Sequence, residues 1–290
     1  VDFTFGDFTV PVTFNGGGGL DTSVTMSRAA TAQQAALRTD AVQLGGAIAL
    51  TLGDVETSYF YGQPDDSALL FDSARTDFFV SDGTYAYVAG LNDGTFRLAS
   101  GVGFVYGYSS GQDGDNAWHY DTPGTDSFVA SGTAYSYMSG NMAGQSFFNV
   151  GVGFAVNYGY STEGGADYAY FLDSPNNDTF YSQDDASGDY AYMSGSRFFS
   201  LGQQFERISG QSFVGGSDTA YNYAPHKTAL TGFATVFTQD EEDDGTSSSS
   251  TSSFGTNTAW RPAEEQENED DLSALDEVMS DDESLGGLLS

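Results

Sequence analysis

Cysteine is absent from the 290-residue chain, so no disulfide framework, redox pair or thiolate metal site is available to it. Lysine occurs once, as Lys227, and all basic residues together number 8 against 41 acidic ones, for a net charge of −33. Phosphate backbones and anionic membrane surfaces repel such a surface, which argues against nucleic-acid partners and peripheral membrane docking. No apolar run is long enough to span a bilayer, so membrane insertion is not expected. The first residue is Val1, which points to a processed form or a fragment.

What is abundant is uneven. Residues 240–290 hold 16 acids and the single base Arg261, while 22 of the 23 Phe and all 18 Tyr crowd the rest. Tyr, Phe, Val and Gly alternating with polar residues read as β-structure, and the acidic end reads as a disordered tail.

The body repeats. Asp66-Ser-Ala-Leu-Leu-Phe-Asp72-Ser73 is followed by Thr76-Asp77-Phe78-Phe79-Val80. Asp115-Asn-Ala-Trp-His-Tyr-Asp121-Thr122 with Thr125-Asp126-Ser127-Phe128-Val129 is the second copy, and Asp167-Tyr-Ala-Tyr-Phe-Leu-Asp173-Ser174 with Asn177-Asp178-Thr179-Phe180-Tyr181 the third. Tyr85/Tyr87 before Gly90, Tyr135/Tyr137 before Gly140 and Tyr190/Tyr192 before Gly195 follow in turn. A shortened copy opens at Asp218, and Asp21 opens a degraded one. The expected organisation is an N-terminal cap and degenerate repeat (1–64) and a β-repeat domain (65–238). The domain's units are 66–114, 115–166, 167–217 and a partial 218–238. A Ser/acidic linker (239–259) and an acidic tail (260–290) complete the chain, the tail with a possible short helix through Leu272, Leu275 and Met279. Residues 1–14 read as an edge hairpin or cap, and the Ala/Gln-rich stretch 27–44 as a helix sealing the first coil.

Short alternating strands separated by Gly-, Asn- and Asp-rich turns, repeated with atypical ends, point to an all-β fold. The reading is a right-handed parallel β-solenoid or β-roll-like array, with two or three rungs per unit. A β-propeller is the alternative, since its blades have similar length. Matching Phe and Tyr would form inward ladders, and matching Asp would line the corners.

The run Gly-Gly-x-Asp167-x-Ala-Tyr-x-x-Asp173-Ser-x-x-Asn-Asp178-Thr-Phe resembles the Asp/Gly/Tyr-rich tandem repeats of very large secreted proteins of aquatic bacteria, planctomycetes especially. It is more distantly similar to the haemolysin-type (RTX) calcium-binding repeats. The resemblance covers residues 66–238 and implies an extracellular or cell-surface location and a β-repeat architecture. The RTX likeness implies Ca²⁺ held between turns. Tandem nonapeptides are missing, however, so a continuous file of calcium sites does not carry over.

The pairs Asp72/Asp77, Asp121/Asp126 and Asp173/Asp178 bracket short turns and are the candidate calcium ligands, because Ca²⁺ takes several oxygens on a flexible loop. The competing reading is that Asp simply makes Asx-turns at solenoid corners. Asp66, Asp115, Asp167 and Asp218 stand about 20 Å away along their own strands and would reach the corner only from a neighbouring coil. His119 and His226 sit beside no acid cluster at ligand spacing, and His119 reads as a surface or packing residue. The Asn15–Leu20 glycine run lacks the Lys-Ser/Thr of a phosphate loop. Asp pairs serve glycosidases too, but a catalytic pair is needed once and a turn in every copy. No catalytic residue or organic cofactor is assigned. The expectation is therefore a non-enzymatic structural or adhesive module. Its expected partners are cell-surface or matrix polysaccharide, or other copies of a surface protein, and a carbohydrate-binding role on exposed Tyr ladders is the alternative.

Overall fold

The computed structural model describes residues 2–5, 12–27, 32–45, 47–91, 93–110, 114–132, 134–185 and 188–238. The expected linker, acidic tail and tail helix lie outside the described residues. Those described form β-strands only, arranged as a β-solenoid of two large sheets; sheet 1 has 13 strands and sheet 2 has 12. Two continuous sheets exclude the propeller.

Each complete unit is five strands. The Asp21 unit holds β3 (Thr22–Ser27), β4 (Gln34–Leu37), β5 (Ala41–Leu44), β6 (Ala47–Gly53) and β7 (Thr57–Tyr61). The Asp66 unit holds β8 (Ser67–Phe71), β9 (Asp77–Ser81), β10 (Tyr85–Gly90), β11 (Phe96–Ser100) and β12 (Phe104–Tyr108). The Asp115 unit holds β13 (Asn116–Tyr120), β14 (Asp126–Ser131), β15 (Tyr135–Met142), β16 (Gln145–Val152) and β17 (Val156–Tyr160). The Asp167 unit holds β18 (Tyr168–Leu172), β19 (Thr179–Asp185), β20 (Gly188–Ser194), β21 (Phe199–Gln203) and β22 (Arg207–Gln211). β1 (Asp2–Phe5) and β2 (Val12–Asn15) precede them, and β23 (Thr219–Tyr223), β24 (Thr228–Thr231) and β25 (Thr235–Thr238) follow.

Within a unit the first and last strands lie in one sheet, and the middle three form an antiparallel meander in the other. The chain changes sheet again on entering the next unit, so the meander falls in sheet 2, sheet 1, sheet 2 and sheet 1 in succession. Sequence repeats are thus related by a half-turn about the axis as well as a rise. Two units together add five strands to each sheet, which at about 4.8 Å per strand is about 12 Å of rise per unit. Pairing between units is parallel: β9 with β13, and β14 with β18. The stretch expected to be helical is instead β4 and β5, with Ala35 and Leu37 fully buried. β1 and β2 also do not form a hairpin; they pair with β3 and β6 in different sheets.

The space between the sheets is thin, and most strands turn two side chains into it. Phe79, Phe128 and Phe180, at one repeat position, are wholly buried. Each lies over a glycine from the opposite sheet: Gly107, Gly159 and Gly210. The Tyr half of the expected inward ladders is overturned. In β10, Ala86 and Val88 take the inner face, so period-two alternation turns Tyr85 and Tyr87 outward. One set of polar groups that enters the core is chained together. His119 bonds Ser81 through Nδ1 and Ser136 through Nε2, both at 2.9 Å, and Ser136 Oγ donates to Asn157 Oδ1 at 2.7 Å. His119 is therefore a core residue, not a surface one.

Candidate functional site

The recurring acids converge at the corners, three from each repeat boundary. In the Asp66 unit, Asp77 Oδ2 accepts from Ser73 N–H at 3.0 Å and Ser73 Oγ–H at 2.7 Å, closing the turn. The Asp77 N–H donates to Asp115 Oδ1 at 2.8 Å, and Ser109 Oγ–H donates to Asp115 Oδ2 at 2.5 Å. Asp72 Oδ2 accepts from Ser110 N–H at 2.6 Å. The turn 72–77 is thereby tied by three carboxylates to Ser109, Ser110 and Asp115. Asp115 comes from the next coil, as its distance along the chain required.

The same clasp recurs. Asp126 accepts from Thr122, its N–H reaches Asp167 Oδ1 at 2.7 Å, and Asp121 accepts from Thr162 and Glu163 N–H. Asp178 accepts from Ser174, its N–H reaches Asp218 Oδ1 at 2.7 Å, and Asp173 accepts from Val214 N–H. The sequence reading named the acids but missed their partners. The Ser/Thr four residues before the second Asp was the available signal. Gly140 and Gly195 were another: a Cβ on either would collide with Oδ1 of Asp126 or Asp178. The burial of Arg97 beside these acids was not legible. Arg97 donates to the Phe71 carbonyl at 3.0 Å and feels the charges of Asp77, Asp93 and Asp72.

Burial raises the carboxyls of Asp72, Asp77, Asp167 and Asp178 above their ordinary range, with like-charged neighbours adding to it. Asp126 is pushed up to about 6, first by burial, then by Asp167 and Asp121, against the Thr122 hydrogen bonds. Oδ1 of Asp77 and of Asp126 is buried without a hydrogen-bond partner. Among the described residues, no group of three or more His, Asp or Glu is arranged to hold a metal ion.

These shifts have opposite signs for acid and imidazole. Asp126 rises from 3.8 to about 6, so its stabilisation is complete below 3.8 and lost as pH climbs through 6. Burial drops His119 from 6.5 to about 3, so its stabilisation is present above 6.5 and lost as pH falls toward 3. Between about pH 7 and about pH 4, wild-type protein should gain melting temperature relative to Asp126→Asn and lose it relative to His119→Gln. Melting curves that stay parallel across that interval would refute both assignments.

The outer face of sheet 1 carries aligned aromatics. Register places Trp118 beside Tyr158, Tyr192 beside Tyr181, and Tyr181 beside Tyr221. Tyr120 stacks on Tyr160 with centroids 5.1 Å apart, and Tyr181 on Tyr192 at 5.2 Å. One concavity, about 330 Å³, lies against a corner and is lined by Ser174, Pro175, Asn176, Ser196, Arg197 and Phe198. It brings together no acid pair and no histidine. The basic residues are separate: Arg97 is buried in β11, Arg207 lies over the Tyr168 ring from β22, and Lys227 pairs with Asp184 and Asp189.

No protein family, curated protein or solved structure matches this chain. Among the described residues no helix is long and apolar enough to cross a membrane.

Proposed function

We propose that the chain is an extracellular or cell-surface structural and adhesive module with a non-catalytic role. One observation carries the reading: the most highly organised polar cluster is the corner clasp, and it occurs at three successive boundaries with the same internal partners. A reaction centre is needed once, whereas a device that joins coils is needed at every joint. The polar groups of the clasp are directed at the protein's own loops, which leaves the outer sheet faces as the contacting surface.

The second reading, polysaccharide binding, is favoured by the aligned rings of sheet 1, since aromatic bodies combine apolar area with a polar edge. Neutral glycans suit a chain of net charge −33 better than acidic ones. Retention on insoluble neutral polysaccharide, lost when Trp118→Ala and Tyr158→Ala are combined, is the expected result for that partner. Retention only on immobilised copies of the same chain would move the partner to the protein itself. Failure of both would remove adhesion and leave a spacer.

Calcium at the corners is a sharper form of the structural reading. An ion there would engage the donor-free Oδ1 of Asp126 together with Asp121 or Asp167. It would bind the folded state alone and raise the melting midpoint in millimolar Ca²⁺ over that in EDTA at matched ionic strength. Equal midpoints would leave hydrogen bonding as the whole chemistry of the corner.

A further inference from the structure

Lys227 is the only lysine in the chain, and it lies in the turn between β23 and β24. Its side chain is 9% exposed, which is rare for lysine. Nζ directly contacts Asp189 Oδ1 and stands 3.4 Å from Asp184 Oδ2. Asp184 and Asp189 are cross-strand partners in the β19–β20 hairpin, which sets both carboxylates toward Lys227. Asp184 Oδ2 also lies 2.7 Å from His226 Nε2. The corner clasp repeats, but this arrangement is used once. β19 runs to Asp185, past the level at which its counterpart β9 stops at Ser81, and only the last hairpin meets a lysine.

A buried amine held against one carboxylate, with a second carboxylate beside both, is a reactive set. We propose that Lys227 and Asp189 condense to an intramolecular amide, with Asp184 carrying the protons. Asp184 takes a proton from the Lys227 ammonium and passes it to an Asp189 oxygen, which makes that carboxyl electrophilic. The freed amine attacks Asp189 Cγ. A second proton follows the same route from nitrogen to oxygen, and the oxygen leaves as water. One C–N bond forms and one C–O bond breaks. An ammonium and a carboxylate become an amide and a water, with no oxidant, reductant or cofactor. Fixed proximity supplies the driving advantage that the two groups lack when free in solution. The product would fasten the Asp167-unit hairpin to the closing strands, so that the end of the array cannot peel away.

The single lysine makes the test direct. The full chain is denatured and treated with a lysine-specific protease, and its intact mass is measured. The expected result is a mass one water below that of the sequence and no cleavage after Lys227. Fragmentation should then recover a branched peptide joined through Lys227 and Asp189. Asp184→Ala should restore the full mass and cleavage between Lys227 and Thr228. A wild-type chain of full mass that is cut at Lys227 overturns the proposal and leaves an ion pair. Loss of water together with cleavage at Lys227 overturns it equally, because the dehydration then lies elsewhere. Both wild-type measurements stand even if Asp184→Ala fails to fold.

Discussion

Phe128→Ala is expected to lower the unfolding free energy by about 3–5 kcal/mol, the usual cost of emptying a buried Phe site. Phe128 is wholly buried, with ring centroids 6.2 Å from Phe171, 6.0 Å from Phe205 and 5.8 Å from His119. The opposite change should also be harmful. A Cβ on Gly159 would stand 2.5 Å from Phe128 Cγ, so Gly159→Ala forces the ring aside and is expected to cost about 1–3 kcal/mol. Phe128 comes from β14 in sheet 2 and Gly159 from β17 in sheet 1, so the pair sets the spacing of the sheets. Phe128→Leu should then cost less in the Gly159→Ala background than in wild type, with a coupling of about 0.5 kcal/mol or more. Urea unfolding of the four proteins measures it. Strictly additive losses would show that the glycine is not there for the ring.

That pairing illustrates what the repeat revealed and what it concealed. Gly107, Gly159 and Gly210 recur in step with Phe79, Phe128 and Phe180 in the sequence, so the recurrence was visible. Their contact was not, because each glycine is three strands further along and in the facing sheet. The strands themselves were legible from period-two alternation. Parity was not. A unit of five strands changes sheet an odd number of times, counting entry into the next, and the recurrence of the motif cannot show that neighbours are related by a half-turn. An inward ladder of matching Phe and Tyr puts Tyr87 with Phe79, although one-residue phasing against Ala86 and Val88 sends it out. Residues 34–44 misled through composition. Helix propensity differs by only about 0.7 kcal/mol per residue among ordinary side chains, less than strand pairing and full burial of Leu37 and Val42 contribute. The thin interior accepts Ala where a broader core would want Leu.

At the corners the acids were legible and their purpose was ambiguous, and Asp167 separates the two purposes. Asp167 is buried, and its two oxygens accept from Asp126 N–H at 2.7 Å and Ser161 Oγ–H at 2.7 Å. Asp167→Ala strands both donors in a site closed to water, and each orphaned donor costs about 1–3 kcal/mol. Asp167→Asn is expected to behave differently. The amide oxygen replaces the acceptor for Asp126 N–H, and the Ser161 hydroxyl rotates to accept from the amide nitrogen. The like charge that helps raise Asp126 also disappears, so the Asp126 carboxyl should titrate lower and lose less stability toward neutral pH. At neutral pH the Asn variant should therefore melt no lower than wild type, and the Ala variant far below both. A corner built around Ca²⁺ predicts another order. There the carboxylate charge itself is required, and Asp167→Asn would forfeit any calcium-dependent rise in melting temperature along with the ligand. Thermal melts of wild type, Asp167→Asn and Asp167→Ala, each in Ca²⁺ and in EDTA, thus distinguish a carboxylate kept as a hydrogen-bond acceptor from one kept for its charge.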